Sequence, residues 1–149
     1  MGSSYLPSDM NAAYLFAQLE ESEKINNDRL ESWKYYYNNL NNLKELNKIE
    51  LPFIPNKCEH NAHMFYIKVK NLEERTGLIN HLKVNDILSV FHYIPLHSAP
   101  AGQKYGRFNG IDKYTTKESD RLIRLPMYFG LKMEELDKII SFVNDFYKK

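Results

Sequence analysis

Apolar and polar residues alternate at helical spacing in the first third of the chain. Between Ser8 and Leu51 there is neither proline nor glycine, and apolar side chains recur every three or four residues. Ser8 follows Pro7, and serine is a favoured N-cap. Residues 20–28 are mostly polar and interrupt the apolar stripe. We predict a long helix from Ser8, part of which packs on something outside this chain, because so small a remainder cannot cover the whole stripe.

Two short stretches carry the aromatic and β-branched content of strands. They are residues 63–69 and residues 87–93, and each is predicted to form a strand. Between them, residues 71–74 read Asn-Leu-Glu-Glu, a capping residue with glutamate three positions on, which predicts a short amphipathic helix.

The C-terminal third predicts two more helices and one more strand. Residues 115–118 read Thr-Thr-Lys-Glu, a second capping box, and we expect a brief helix there followed by a short edge strand near Leu125 and Pro126. The last helix is predicted despite Lys132, a poor N-cap, because its apolar residues form one stripe. These residues are Leu136, Ile139, Ile140, Val143 and Phe146.

The order of these elements predicts an α+β fold. We expect a long N-terminal helix followed by a small two-layer domain, with a short sheet of about three strands and helices on one face. Residues 1–50 would form a linking helix that leads from another, larger domain, and residues 51–149 would form the small domain.

Composition narrows the classes of partner. Twenty basic residues against nineteen acidic ones give a net charge of +1, so no strong field attracts nucleic acid or an anionic membrane. No apolar run approaches the roughly 20 residues that span a bilayer. Cys58 is the only cysteine, which rules out an intrachain disulfide, and no secretory signal pattern opens the chain. We expect a soluble, cytoplasmic protein.

Histidine and cysteine spacing raises the question of a metal site. Cys58, His60 and His63 form Cys-x-His-x-x-His, and His92 with His97 forms a second pair. His63, however, opens a predicted strand, in which neighbouring side chains point to opposite faces. We therefore expect no metal site. Residues 102–107 lack the order of a phosphate-binding loop, and we expect a flexible surface loop there.

Residues 91–97 are the most suggestive stretch for chemistry. A strand end that enters a loop fixed by Pro95 can direct the His92 imidazole and the Tyr93 phenol into a cleft. Both groups hydrogen-bond well to sugar hydroxyls and phosphates. The alternative is that His92 is a satisfied histidine at a sheet edge and Tyr93 an ordinary core aromatic. Spacing alone does not decide between the two.

Three separated motifs together resemble one family. Residues 2–13, 61–67 and 92–97 are similar, in order and spacing, to the DegT/DnrJ/EryC1/StrS aminotransferases. Residues 121–126 fit the same pattern, and residues 3–8 and 114–119 resemble the members that act on dTDP-4-keto-6-deoxyhexoses in surface-antigen biosynthesis. The resemblance implies a homodimeric fold-type-I enzyme that uses pyridoxal phosphate (PLP) to move an amino group from glutamate to a nucleotide-linked sugar.

The resemblance also implies roles for particular residues. Ser4 and Tyr5 lie in a segment that reaches the cofactor phosphate of the partner subunit, where many relatives have Asn-Tyr-Arg instead of Ser-Tyr-Leu. His92 matches a histidine at the sugar-nucleotide pocket, and Tyr93 and His97 lie on the same stretch. The cofactor lysine and the carboxylate that faces the pyridine nitrogen belong to a large domain upstream. The resemblance therefore favours a substrate contact for His92.

Three functions are consistent with these observations. The chain could be the severed C-terminal part of the aminotransferase, inactive alone and without bound PLP, since it matches no cofactor lysine. It could be an assembly module that pairs with itself or with a separate large-domain chain. It could bind a dTDP-sugar independently, which we rank last because half a cleft rarely retains affinity.

Overall fold

The N-terminal part of the molecule is helical in three segments. The computed structural model describes residues 5–148, and these begin with α1 (Asp9–Glu20), α2 (Ser22–Asn39) and α3 (Asn41–Glu45). The Ser8 hydroxyl caps α1 by accepting from the Asn11 amide at 3.3 Å, which confirms the predicted start. The prediction of one unbroken helix is wrong at Glu21 and Leu40, whose ψ angles of 6° and 0° leave the helical range. Such bridge-region angles are open to any residue and leave no sequence signal.

A three-stranded antiparallel sheet follows. It is formed by β1 (Phe65–Lys68), β2 (Val90–Phe91) and β3 (Leu122–Leu125), in the order β1-β3-β2. The predicted edge strand near Pro126 is therefore wrong in position, because β3 is central. Pro126 lies just past its last residue, so the ladder loses no donor. β2 is shorter than predicted, because the Ser89 amide turns back to the Ile87 carbonyl at 3.2 Å.

Four helices complete the fold: α4 (Leu72–Lys83), α5 (Pro100–Tyr105), α6 (Thr115–Arg121) and α7 (Met133–Phe146). The Asn71 side chain accepts from the Glu74 amide at 2.9 Å, so the predicted cap of α4 is confirmed. At α7 the Glu135 carboxylate reaches back to the Lys132 amide at 3.0 Å, which compensates for the poor cap. The prediction of a flexible loop at residues 102–107 is wrong for most of that stretch, because α5 extends to Tyr105.

One core joins the sheet to the helices. Phe65, Ile67, Ile123 and Leu125 alternate along β1 and β3 and are buried with residues of α2, α4 and α7. Phe65 stacks on Tyr36 of α2 with ring centroids 4.9 Å apart. The α+β prediction is confirmed. Residues on both sides of the predicted boundary at residue 50 share this core, and the division into linking helix and small domain stays a prediction.

The described helices were compared with the requirements for crossing a membrane. Within residues 5–148, none of them combines the length and the apolar content that a transmembrane span needs.

Candidate functional site

His92 and Tyr93 lie together where β2 leaves the sheet. Their rings are 4.3 Å apart at an interplanar angle of 63°, and Tyr93 is 68% exposed. The Nδ1 atom of His92 is buried without a hydrogen-bond partner among the described residues. A buried polar atom without a partner is costly, so a group from outside this chain that satisfied it would stabilise the site.

The strand end is held in place by neighbouring helices. The Ser119 hydroxyl of α6 donates to the Tyr93 carbonyl. Arg75 of α4 donates to the Ser119 carbonyl at 2.8 Å and places its guanidinium 5.0 Å from the Phe91 ring. These contacts hold the Tyr93 carbonyl and the Phe91 ring on either side of His92, while the Tyr93 side chain remains accessible.

His97 belongs to a separate polar cluster. Its Nε2 lies 3.0 Å from the Asp112 carboxylate and 3.3 Å from the Thr116 hydroxyl. Asp112 also accepts from the amides of Thr115 and Thr116, at 2.9 and 3.1 Å, so it caps α6. The hydrogen bond from the Thr116 hydroxyl is the main reason that the pKa of Asp112 lies below its ordinary value. The cluster closes the loop between β2 and α6.

The predicted capping residue of α6 is wrong. We expected the Thr115 side chain to cap the helix, but the N-cap is Tyr114 without a side-chain bond, and Asp112 serves instead. Asp112, Thr116 and Ser119 were not predicted as important. The only available signal was an aspartate three residues before Thr115, a spacing that permits the same kind of cap.

A close backbone approach shapes the same loop. Gly102 of α5 lies so near the Leu96 carbonyl that a Cβ there would sit 1.6 Å from its oxygen. Only glycine fits this position. Several large side chains of the loop are nevertheless exposed. They are Tyr93, Ile94, Leu96, Tyr105, Ile111 and Tyr114.

The predicted cofactor-contacting residues lie at the other end of the chain. Tyr5 is exposed and precedes α1, and Ser4 lies outside the described residues. α1 has no buried residue, although it carries a set of large apolar side chains. These are Met10, Tyr14, Leu15, Phe16 and Leu19, which lie around most of the circumference of the helix; together we call them the α1 apolar face. No hydrogen bond or ring contact joins Tyr5 to His92 among residues 5–148.

The lysines in residues 5–148 do not fit the role of a PLP-binding residue. Every lysine in residues 5–148 except Lys68 is exposed, whereas a Schiff-base lysine needs a shielded, neutral amine. Hydrogen bonds from Lys68 to Glu118 and Glu50 raise the pKa of its ammonium above the ordinary value. Lys68 therefore stays protonated and is a poor nucleophile.

The residues considered as zinc ligands lie in different surroundings. Cys58 is exposed, and the His60 ring packs on Trp33 at 4.5 Å. The described part of the chain holds no cluster of three or more residues suited to bind a metal ion.

Comparison with known proteins places the chain in a family. The model of the DegT/DnrJ/EryC1/StrS aminotransferase family matches residues 1–144. GDP-perosamine synthase of Escherichia coli O157:H7 is 29% identical over 99% of this chain and 38% of its own length. Another curated relative is covered over 36% of its length. The chain thus spans little more than a third of these relatives.

Solved structures share the fold. DesV of S. venezuelae, solved with a ketimine intermediate, superposes with a TM-score of 0.83 at 23% identity, over 94% of this chain and 36% of DesV. NtdA of Bacillus subtilis, solved with bound cofactor PMP, gives a TM-score of 0.68 at 24% identity, over 84% of this chain and 29% of NtdA. With the family match over residues 1–144, we conclude that the chain belongs to the DegT/DnrJ/EryC1/StrS aminotransferase family.

Proposed function

We propose that this chain is the C-terminal part of a PLP-dependent sugar-nucleotide aminotransferase, and that it is inactive alone. The reaction would transfer the amino group of glutamate to a dTDP-4-keto-6-deoxyhexose for the synthesis of surface-antigen sugars such as those of lipopolysaccharide. The family match over residues 1–144 carries the proposal. The exposure of every described lysine but Lys68 supports the inactivity.

His92 and Tyr93 would contact the sugar nucleotide. The buried, unpartnered Nδ1 of His92 and the exposed phenol of Tyr93 support this role. His97 would contribute from the adjoining loop, although its described hydrogen bonds to Asp112 and Thr116 suit it better to holding that loop in place. Ser4 and Tyr5 would reach the cofactor phosphate of a partner subunit, where a hydroxyl donates one hydrogen bond.

The identity of the nucleotide is the most specific part of the proposal. The motif at residues 114–119 resembles dTDP-sugar enzymes, whereas one relative is named for a GDP-sugar. Both classes of substrate share a diphosphate and a hexose, so the difference lies in the nucleoside, that is, in the base and in the 2′-hydroxyl of the pentose. The choice of dTDP rests on the resemblance alone.

An assembly module is the second candidate. The α1 apolar face gathers five large side chains that no described residue covers. Exposed apolar surface of this kind marks sites of protein association. In this proposal the face packs on a large domain carried by a separate chain, or within a homodimer, and completes an active site there.

A chimera tests the aminotransferase proposal. The chain would replace the matched segment of GDP-perosamine synthase, and the absorbance of bound PLP would report whether the hybrid has folded. We expect a folded chimera to form 2-oxoglutarate from glutamate with a dTDP-4-keto-6-deoxyhexose, and H92A to slow turnover while PLP stays bound.

The contrary outcomes are distinct. A PLP-loaded chimera that is inactive with both dTDP- and GDP-linked ketosugars would contradict the aminotransferase role. Activity with the GDP-sugar only would contradict the choice of nucleotide. For the assembly module, the upstream segment would be supplied as a separate chain, and F16A should weaken co-purification while an exposed-lysine variant, K34A, should not.

A further inference from the structure

A broad cleft lies at the edge of the sheet formed by β1. It is bounded by the segment after α3, the end of β1, α6 and the C-terminal end of α7, and its volume is about 940 Å³. None of the residues predicted to contact the sugar nucleotide or the cofactor lines it. The cleft is thus not explained by the function proposed above.

Cationic side chains dominate its lining. Five basic residues face two acidic ones, Glu50 and Glu74, in a chain whose net charge is only +1. The basic residues are Lys48, Lys68, Lys70, Lys117 and Arg121. Positive charge is therefore concentrated here, and a concave surface strengthens its effect on an approaching anion.

Two of the cations are already paired. Lys68 lies 3.0 Å from Glu50 and 2.8 Å from Glu118, and Arg121 pairs with the same two carboxylates. The four charges of this network cancel. Its side chains form one wall of the cleft, and the three remaining lysines face a single further carboxylate, that of Glu74.

The other three cations remain available. Lys48, Lys70 and Lys117 are exposed and form no ion pair with any residue from 5 to 148. Glu74, the acidic residue outside the network, accepts a hydrogen bond from the Tyr147 hydroxyl at 2.6 Å. The unpaired ammonium groups of the three lysines are thus the groups that an added ligand would meet.

We propose that this cleft binds the diphosphate group of a small molecule. Lysine ammoniums act as point charges that suit phosphate oxygens, and the planar fork of Arg121, which could bind a carboxylate or a phosphate, is already engaged by Glu50. Three separate cations match a multiply charged group better than a single carboxylate. The apolar side chains of Leu46, Ile49 and Phe146 also line the cleft and provide a surface for an uncharged part of the ligand.

Calorimetric titration of the purified chain with inorganic pyrophosphate tests the proposal. No cofactor is needed, so the result is independent of whether the chain takes part in transamination. We expect saturable binding in the millimolar range or tighter, and a loss of at least about tenfold in affinity for the triple variant K48Q/K70Q/K117Q. Far-ultraviolet circular dichroism would confirm that these exposed substitutions leave the fold intact.

A matched variant separates the cleft from net charge. K34Q/K83Q/K138Q removes the same three charges from exposed positions outside the cleft and should bind pyrophosphate like the unaltered chain. Two results would overturn the proposal. One is the absence of saturable binding in the unaltered chain, and the other is an equal loss in both triple variants.

Discussion

Two phenylalanines in this chain differ sharply in how much of the side chain is exposed to solvent. Phe65 of β1 is fully buried, with its ring stacked 4.9 Å from Tyr36, whereas Phe16 of α1 is 64% exposed. Phe65 belongs to the alternating pattern of β1, whereas Phe16 belongs to a helix whose large apolar side chains lie around most of its circumference. Apolar content therefore indicates that a segment needs a covering surface, but not that this surface lies in the same chain.

The loop between β2 and α6 resembles α1 in this respect. It exposes large apolar side chains, and the contacts that order it are polar, through Asp112, Thr116 and Ser119. The core, by contrast, is ordered by apolar packing between β1, β3 and the helices. In the proposed function, these exposed regions would be the parts of the chain that meet the rest of an aminotransferase.

Removal of the buried ring should have the largest effect. Phe65→Ala deletes a side chain that contacts both Trp33 and Tyr36, and we expect the free energy of unfolding to fall by about 3–5 kcal/mol. Urea denaturation followed by circular dichroism measures this change. A loss below about 1 kcal/mol would mean that the core is loosely packed and that the contrast with α1 is smaller than described.

Acid should weaken the ion-pair network beside the core. Hydrogen bonds from Arg121 and Lys68 lower the folded-state pKa values of Glu50 and Glu118 from the ordinary 4.5. The unfolded chain therefore binds more protons as the pH falls, so this stabilisation is complete above about pH 4.5 and is lost as the pH passes below the folded pKa values.

Thermal melts across this pH range measure the effect. The double variant E50Q/E118Q should lose less stability between neutral pH and about pH 3 than the unaltered chain does, by a modest amount because both carboxylates are largely solvated. E59Q, which alters an exposed carboxylate without a described ion-pair partner, serves as the control. An identical pH profile for the double variant and the unaltered chain would show that the network contributes nothing.

Order in the β2–α6 loop should depend on Asp112. Asp112→Asn removes the charge opposite His97 and weakens the cap of α6, and we expect several-fold faster amide hydrogen exchange at Thr115 and Thr116. Exchange in β1 should not change. D145N near the end of α7 is the control, and unaltered exchange in D112N would show that the loop is ordered by other contacts.

The smallest effect is expected at Phe16. Phe16→Ala makes the same chemical change as Phe65→Ala, yet we expect the unfolding free energy of the isolated chain to move by no more than about 0.5 kcal/mol. Urea denaturation under the same conditions compares the two. A loss above about 2 kcal/mol would contradict the description of α1 as a helix whose apolar face is uncovered.

Local sequence signals predicted much of this fold. The caps at Ser8 and Asn71, β1 and the stripe of α7 follow from patterns within a few residues, and all four are confirmed. The central place of β3 could not be predicted, because pairing between distant strands leaves no local mark. Helix α5 depends on Gly102 fitting against the Leu96 carbonyl, which is also a tertiary contact.

The candidate site was predictable only in outline. The strand-to-loop transition located His92 and Tyr93 correctly as neighbours at the end of β2, and their roles stay predictions. The partners of His97 were not predictable, because Asp112 and Thr116 approach it from across the loop. Spacing along the chain does not reveal which distant side chains a folded loop places in contact.

Reductive trapping tests the central claim most directly. The purified chain would be titrated with PLP, its visible spectrum recorded, and the mixture reduced with borohydride before labelled lysines are located by mass spectrometry. We expect no saturable aldimine band and only scattered, substoichiometric labelling of exposed lysines. A single stoichiometric label, on Lys68 above all, would show that the chain forms a cofactor site by itself and would contradict the account.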